Sequence, residues 1–140
     1  MPKCVITIGI PTSGKSWWAE KQNLPILCCD DLRNAKNKGK KYIFDPRIEK
    51  EIWEEFYTKL AEQTQDFIVC NTNCRINYIN KIKETLNKNY EIEYVWFDIP
   101  MWKAYYRNIK RWIFEDKWIP INVLKVMKLN YDKLKKQWKE

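Results

Sequence analysis

Short apolar runs alternate along this chain with longer segments in which apolar positions recur every three or four residues. Four runs rich in β-branched and aromatic residues have the length of buried strands. They cover residues 3–8, 26–29, 67–70 and 92–97. Five segments are predicted as helices, mostly from the spacing of their apolar residues. They cover residues 15–22, 46–63, 76–86, 101–113 and 120–138.

The segment between the second strand and the second helix has a different character. Residues 34–46 are basic and contain Gly39 and Pro46, so we predict a loop there. Pro46 suits the first turn of the helix that follows, and Asp45 is a suitable N-cap for it.

This alternation predicts an α/β fold, with a four-stranded parallel sheet and right-handed crossover connections. In such sheets ligands bind beyond the carboxyl ends of the strands. Asp30, Asn71 and Asp98 each follow a predicted strand, so we expect all three at one edge of the sheet. The 140 residues are enough for one domain with a sizeable core, and we see no repeat or linker that divides residues 1–140.

The segment between the first strand and the first helix carries the most specific chemistry. Residues 9–16 fit the pattern G-x-x-x-x-G-K-[ST] of a phosphate-binding loop. Its glycines permit a tight turn, and its amides with the helix N-terminus attract phosphate oxygens. Lys15 would reach the β- and γ-phosphates of ATP, and the Ser16 hydroxyl would hold Mg²⁺. The alternative is a chance glycine-rich turn. The predicted ATP-binding residues of the loop are Gly9, Pro11, Thr12, Ser13, Gly14, Lys15 and Ser16.

The chain contains no histidine, which excludes Ser-His-Asp and Cys-His catalysis and every metal site that needs histidine. A general base must then be a carboxylate, or a Lys, Tyr or Cys side chain. Asp30 and Asp31 follow the second predicted strand and are the candidates, and Arg33 nearby would hold an anionic group of the substrate. For Asp31 an equally good interpretation is an N-cap of a short helix.

Two arginines share one face of the helix predicted after the last strand. Arg107 and Arg111 are four residues apart, and Tyr105, Tyr106 and Trp112 flank them. Arginines on a helix at this place in an α/β chain suit a lid, within residues 101–138, that closes over phosphates and neutralises transition-state charge. The alternative is a pair of surface charges on a basic helix.

The formal net charge is +8, and the 11 basic and four acidic residues of segment 101–140 contribute most of it. Such a charge favours a polyanionic partner, although a lysine-rich solvated surface would look the same. Tryptophans lie near these charges, as in single-strand binding sites. Trp17 or Trp18 is a candidate for stacking on a base, although core packing is the default for each tryptophan. The tryptophans among the C-terminal charges are Trp102, Trp112 and Trp118.

An odd number of cysteines, five, and no secretory signal predict a reducing, intracellular setting. Cysteines in apolar runs are typical of small buried residues. A zinc site built from Cys70, Cys74 and either Cys28 or Cys29 is the alternative. No apolar run approaches the roughly 20 residues of a membrane span, so we expect no membrane association.

With these residues assembled, the chain resembles the 5′-kinase domain of phage polynucleotide kinase/phosphatase over nearly all of its 140 residues. The likeness lies in an ordered set of short motifs. In order, they cover residues 6–16, 18–19, 30–33, 71–73, 97–100, 107–111 and 119–124. The resemblance implies a P-loop kinase fold, a three-layer sandwich with a four-stranded parallel sheet and an arginine-bearing helical lid.

The resemblance also implies roles for individual residues. Asp30 is similar to the general base for the 5′-hydroxyl, and Arg33 to the arginine on the phosphate 3′ of the acceptor nucleoside. Arg111 resembles the lid arginine on the nucleotide phosphates, and Arg107 a second arginine of that lid. Catalysis would then depend on Lys15, Asp30 and Arg111, and acceptor binding on Asp30, Arg33, Asn71 and Thr72.

Three positions depart from the family pattern. Thr12 replaces a frequent glycine, Trp17 a Thr or Ser, and Asn71 an aspartate, so a negative charge near Lys15 and Ser16 is missing. The loop after Arg33 is shorter, and no D-x-D-x-T phosphatase signature follows. By resemblance we also expect self-association and a cytoplasmic setting in an infected host cell.

These observations lead to one main expectation. The chain is predicted to be an ATP- and Mg²⁺-dependent kinase for the 5′-hydroxyl of single-stranded or end-exposed DNA or RNA. One alternative is a P-loop kinase for a nucleoside or another small molecule. The other is a nucleotide-binding or nucleic-acid-binding protein without catalysis, which the departures at Thr12 and Asn71 favour.

Overall fold

The computed structural model describes residues 2–37, 46–73, 75–86, 90–115 and 119–138. Four strands alternate with six helices along this part of the chain. In order, they are β1 (Lys3–Gly9), α1 (Lys15–Glu20), β2 (Ile26–Leu27), α2 (Cys29–Asn37), α3 (Pro46–Glu62), β3 (Phe67–Val69), α4 (Ile76–Thr85), β4 (Glu91–Phe97), α5 (Met101–Glu115) and α6 (Ile121–Trp138).

The segment after Pro25 differs from the prediction. The second strand ends at Leu27, and α2 begins at Cys29 and continues to Asn37, so residues 34–37 are helical and not part of a loop. Asp30 and Asp31 lie in the first turn of α2, where carboxylates interact favourably with the helix dipole. The N-cap interpretation of Asp31 is therefore wrong. The sequence pattern was ambiguous here because a buried helix start and a buried strand are both apolar.

Two smaller predictions can be compared with the structure only in part. The first helix ends at Glu20, two residues earlier than predicted. The proposed N-cap Asp45, together with Gly39, Cys74 and Trp118, lies outside the described residues.

The sheet has the strand order β2-β3-β1-β4, and every pairing is parallel. β1 occupies an inner position and pairs with β4 along its whole length, from Lys3 with Glu91 to Gly9 with Phe97. On its other edge Cys4 to Ile6 pair with Phe67 to Val69. The predicted parallel α/β fold is confirmed, and the carboxyl ends of the strands meet at one edge.

Both faces of the sheet are covered. Ile6 and Ile8 of β1 point to the larger core, which α3, α4 and α6 complete. Val5 directly precedes Ile6 in β1, so its side chain lies on the opposite face of the sheet, with Ala19 of α1. A strand buried on both faces has no polar side, which explains why β1 is mostly apolar and β-branched and why its Thr7 is also buried. Helices on both faces make the three layers that were predicted.

Asp98 follows β4 as expected, but its carboxylate does not reach the cleft described below. It accepts a hydrogen bond of 2.9 Å from Lys128 of α6, and Lys135 lies 3.6 Å away. The hydrogen bond from Lys128 lowers the pKa of Asp98. The residue therefore ties α6 to the end of β4 and is unavailable at the site.

The end of β1 depends on a glycine for steric reasons. A Cβ on Gly9 would lie 2.7 Å from Ser13 Oγ and 2.9 Å from Phe97 Cβ. We predict that Gly9→Ala lowers the free energy of unfolding by about 1–3 kcal/mol, the usual cost of overpacking. Urea unfolding followed by circular dichroism measures this.

Gly14→Ala is the matched comparison for Gly9→Ala. At Gly14 a Cβ would meet only Arg107 Nη1, at 3.9 Å, so the cost comes from the positive φ of 98° alone. We expect a loss of about 1 kcal/mol, smaller than at Gly9. Equal stability of Gly9→Ala and the unchanged protein would contradict the steric interpretation.

Candidate active site in the cleft beside the phosphate loop

The segment from Ile10 to Gly14 connects β1 directly to α1, as a phosphate-binding loop must. Gly14 has φ 98° and Thr12 has φ 72°, so the loop reverses sharply before the helix. The Lys15 side chain is buried, with 8% of the residue exposed, and its Nζ donates to the Ile10 carbonyl at 3.0 Å. The ammonium is thereby folded back over the loop, which places a positive charge at the mouth of the loop beside the Ile10 carbonyl.

A single cleft of about 1470 Å³ opens above this loop, beyond the carboxyl ends of the strands. Among the predicted ATP-binding and acceptor-binding residues, all but Gly9 and Ser13 line it. The residues brought together in this way are Pro11, Thr12, Gly14, Lys15, Ser16, Asp30, Arg33, Asn71, Thr72, Arg107 and Arg111.

The two remaining loop residues, Gly9 and Ser13, do not line the cleft. Gly9 donates its amide to the Thr72 carbonyl at 3.0 Å, which ties the start of the loop to the end of β3. Ser13 Oγ is buried and has no hydrogen-bond partner in the part of the chain that the structure describes. Both residues therefore belong to the loop without facing the cleft.

Arg33 is the centre of an ionic network on one wall of the cleft. Its Nε and Nη2 donate to the two carboxylate oxygens of Glu49 at 2.9 and 2.8 Å, and its Nη1 donates to Asp30 at 2.6 Å. Burial alone would lower the pKa of Arg33, but Glu49 and Asp30 together raise it above its usual value. The guanidinium is therefore permanently charged and held in one orientation.

Glu49 was missed at the sequence level. It lies on α3, 16 positions after Arg33, and it lines the cleft. Its position on an amphipathic helix did not indicate a functional role, because glutamates on helix surfaces are common. Only the packing of α2 against α3 makes it a partner of Arg33.

Asn71 connects the end of β3 to the start of α2. Its Oδ1 accepts a hydrogen bond of 3.0 Å from the Cys29 amide. Its Nδ2 is buried and has no partner among the described residues. The asparagine at this departure from the family pattern therefore holds the helix turn that carries Asp30.

The Ser16 hydroxyl is the candidate Mg²⁺ ligand, and its surroundings suit that task. Ser16 Oγ and Cys70 Sγ are 4.0 Å apart. A hydrogen bond from Cys28 lowers the pKa of the Cys70 thiol, burial opposes the shift, and the charge of Lys15 adds to it. Ser16 lines the cleft next to Lys15, and Mg²⁺ needs few protein ligands because it takes most of its ligands from phosphate and water.

The second wall is α5, which is tied to the phosphate loop. Arg107 Nη1 donates to the Thr12 carbonyl at 2.8 Å, and Thr12 Oγ1 lies 3.5 Å from the Ala104 carbonyl. Arg111 is one turn further along and also lines the cleft. Thr12, the second departure from the family pattern, thus contacts the arginine-bearing helix.

The tryptophans divide between core and surface. Trp18 packs edge-on against Phe97 with ring centroids 5.6 Å apart, so it is a core residue. Trp17 is 65% exposed and lines the cleft. Trp102 and Trp112 are exposed on α5 and do not line the cleft. Of the predicted tryptophans that the structure describes, Trp17 is therefore the one placed beside a ligand in the cleft.

Within the described ranges, no group of three or more His, Cys, Asp or Glu side chains could hold a metal ion. The zinc alternative needs Cys74, which lies outside those ranges. Among the described helices none is both long and apolar enough to cross a bilayer.

Solved structures share this fold. One chain of the Pnkp1/Rnl/Hen1 RNA repair complex is similar with a TM-score of 0.85 and 22% identity, over 97% of this chain and 46% of that one. A gluconokinase from Sinorhizobium meliloti 1021 has a TM-score of 0.58 and 15% identity, over 92% and 74%. Shikimate kinase from Aquifex aeolicus vf5 has a TM-score of 0.54 and 19% identity, over 96% and 81%.

These similarities establish the fold of the P-loop kinases. This chain spans less than half of the chain that it matches in the RNA repair complex. No protein-family model matches the sequence, and no curated protein matches it either.

The Arg33–Glu49 pair supports a prediction on stability. Glu49→Gln replaces one carboxylate oxygen by an amide that cannot accept from the guanidinium, and the Glu49 side chain is only 16% exposed. We expect the free energy of unfolding to fall by about 1–3 kcal/mol, as for hydrogen bonds to charged groups. Urea titration of both proteins measures the difference.

Glu51→Gln is the matched control on the same helix. Its partner Lys36 is 3.4 Å away, and the Glu51 side chain is 64% exposed. We expect a change within about 0.5 kcal/mol. If Glu49→Gln is no less stable than Glu51→Gln, the buried Arg33–Glu49 pair contributes nothing to the free energy of unfolding.

Proposed function

We propose that this protein is an ATP-dependent polynucleotide kinase that transfers the γ-phosphate of ATP to the 5′-hydroxyl of DNA or RNA. The observation that carries the proposal is the shared cleft. The phosphate loop with Lys15 opens onto the same space as the carboxylate of Asp30 and the guanidinium of Arg33. A donor phosphate and an acceptor hydroxyl can therefore meet there.

We assign ATP to the wall formed by the phosphate loop and α5, and the acceptor to the wall formed by α2. Lys15, the loop amides, Arg107 and Arg111 would bind the phosphates of ATP. The acceptor would lie along α2, near Asn71 and Thr72, with Arg33 on its phosphate and Asp30 near its hydroxyl. Ser16 would hold Mg²⁺, which supplies charge neutralisation on the phosphates when bound.

The reaction would be an in-line displacement. The 5′-oxygen attacks the γ-phosphorus, the bond from that phosphorus to the bridging oxygen breaks, and ADP leaves. The carboxylate of Asp30 takes the hydroxyl proton; its side chain is 75% exposed and within 2.6 Å of Arg33. Lys15 and Arg111 stabilise charge on the transferring group and the leaving oxygen.

The charge of the cleft favours a nucleic acid end over a small metabolite. Its volume of about 1470 Å³ is large enough for ATP and an acceptor together. Three acidic side chains line it, and six basic ones do: Lys15, Arg33, Arg75, Arg107, Lys110 and Arg111. The similarity to a chain of an RNA repair complex supports the same choice.

A kinase for a small acceptor is the second candidate, because the fold is also that of a gluconokinase and a shikimate kinase. Ionic strength separates the two. Binding of an oligonucleotide should weaken steeply with salt, and binding of a small uncharged acceptor should not.

The first test is phosphate transfer from γ-labelled ATP with Mg²⁺ to a 5′-hydroxyl oligonucleotide, a nucleoside 3′-phosphate and a nucleoside. We expect label on the oligonucleotide. Asp30→Asn should lower the rate by about 10²- to 10⁴-fold through loss of the base. Lys15→Ala should cost a factor of at least about 10² through loss of charge stabilisation.

Two matched variants control this experiment. Asp31→Asn changes the neighbouring carboxylate, which does not line the cleft, and Lys50→Ala removes an exposed lysine of α3. Both should retain activity within a factor of about two. Label only on the nucleoside would favour the small-molecule kinase. Binding of ATP without any transfer would favour the non-catalytic alternative.

A further inference from the structure

The cleft extends past Arg33 to an aromatic wall that the roles above do not use. Trp53 of α3 and Tyr78 of α4 both line the cleft. Their rings are stacked, with centroids 5.6 Å apart and planes 8° from parallel. Tyr78 is 40% exposed, so the outer ring of the pair is accessible from the cleft side.

The inner ring of this pair, Trp53, packs against two further aromatic rings of α3. Trp53 packs edge-on against Phe56, which is fully buried, with centroids 5.6 Å apart. Tyr57 contacts the same indole at 5.9 Å. A ring already fixed by packing loses little conformational entropy when a ligand stacks on it.

The pair adjoins the ionic network that would hold the acceptor. Glu49 and Trp53 are one helical turn apart on α3, so they share a face, and Glu49 binds Arg33. Arg75 precedes Tyr78 by three residues and also lines the cleft. An acceptor phosphate at Arg33 would therefore lie beside both an aromatic surface and a second cation.

We propose that Tyr78, supported by Trp53, is a stacking platform for a base among the first two nucleotides of the acceptor. The platform selects nucleic acid ends over acceptors without a base, and it tolerates any base because every base has a π-face. This inference rests on the proposed function and specifies how that site recognises its acceptor.

Binding of a short 5′-hydroxyl oligonucleotide, without ATP, tests the platform. A 3′-fluorescein pentanucleotide is titrated with protein, either intact or abasic at its first two positions. Tyr78→Ala should weaken binding of the intact strand by about 5- to 150-fold, the usual contribution of one stacked base. Tyr78→Phe should bind within a factor of about two of the unchanged protein, because it keeps the π-face.

The abasic strand separates stacking from general damage. It should bind the unchanged protein about 5- to 150-fold more weakly than the intact strand, and Tyr78→Ala should weaken it no further. Equal binding of the intact strand to Tyr78→Ala and to the unchanged protein would overturn the proposal. An equal loss on both strands would overturn it as well.

Tyr78→Leu is a control for the loss of packing on Trp53 that Tyr78→Ala causes. It retains an apolar contact without a π-face, so it should bind like Tyr78→Ala; binding like Tyr78→Phe would refute stacking. Tyr106→Ala removes a tyrosine that is 58% exposed outside the cleft and should leave binding unchanged.

The stacking proposal and the kinase proposal can be contradicted independently of each other. Absence of phosphate transfer to any acceptor would contradict the kinase proposal, while the ATP-free titration would still report on stacking. If the oligonucleotide is phosphorylated, Tyr78→Ala should raise KM for the intact strand and leave KM for ATP unchanged. Equal KM values for the oligonucleotide would reject the platform alone.

Discussion

The position of the phosphate loop depends on the pairing of β1 with its two neighbours in the sheet. β4 pairs with β1 as far as Gly9 and Phe97, and the Gly9 amide continues the other edge by donating to Thr72. Because backbone groups on both sides hold this point, the loop leaves the sheet in a defined direction. The absence of a side chain at Gly9 is what allows Phe97 to approach so closely.

The cleft walls are attached to this loop by a few polar contacts. Arg107 joins α5 to the Thr12 carbonyl, and Asn71 joins the start of α2 to the end of β3. Each contact uses a side chain to satisfy a backbone group at the edge of the sheet, where ladder partners end. The α5 wall and the α2 wall of the cleft are therefore held by separate contacts.

The wall that we propose for the acceptor combines charged side chains with an aromatic surface. Asp30, Arg33 and Glu49 form a chain of contacts that α3 continues to Trp53 and, through it, to Tyr78. In the proposed reaction the carboxylate, the guanidinium and the planar ring would contact the hydroxyl, the phosphate and the base of a nucleotide. This order of groups supports our proposal of a nucleic acid acceptor over a small sugar or acid.

The sequence alone determined the α/β alternation, the phosphate loop and the grouping of Asp30, Arg33, Arg107 and Arg111 around it. These features depend on short spacings between residues and on the alternation of strands and helices along the chain. Both can be read from the sequence itself. Only the tertiary structure decided that Glu49, Trp53 and Tyr78 join the same cleft and that Lys128 removes Asp98 from it. Those contacts join residues 16 to 30 positions apart on different elements. Their geometry arises from helix packing, which no local pattern encodes.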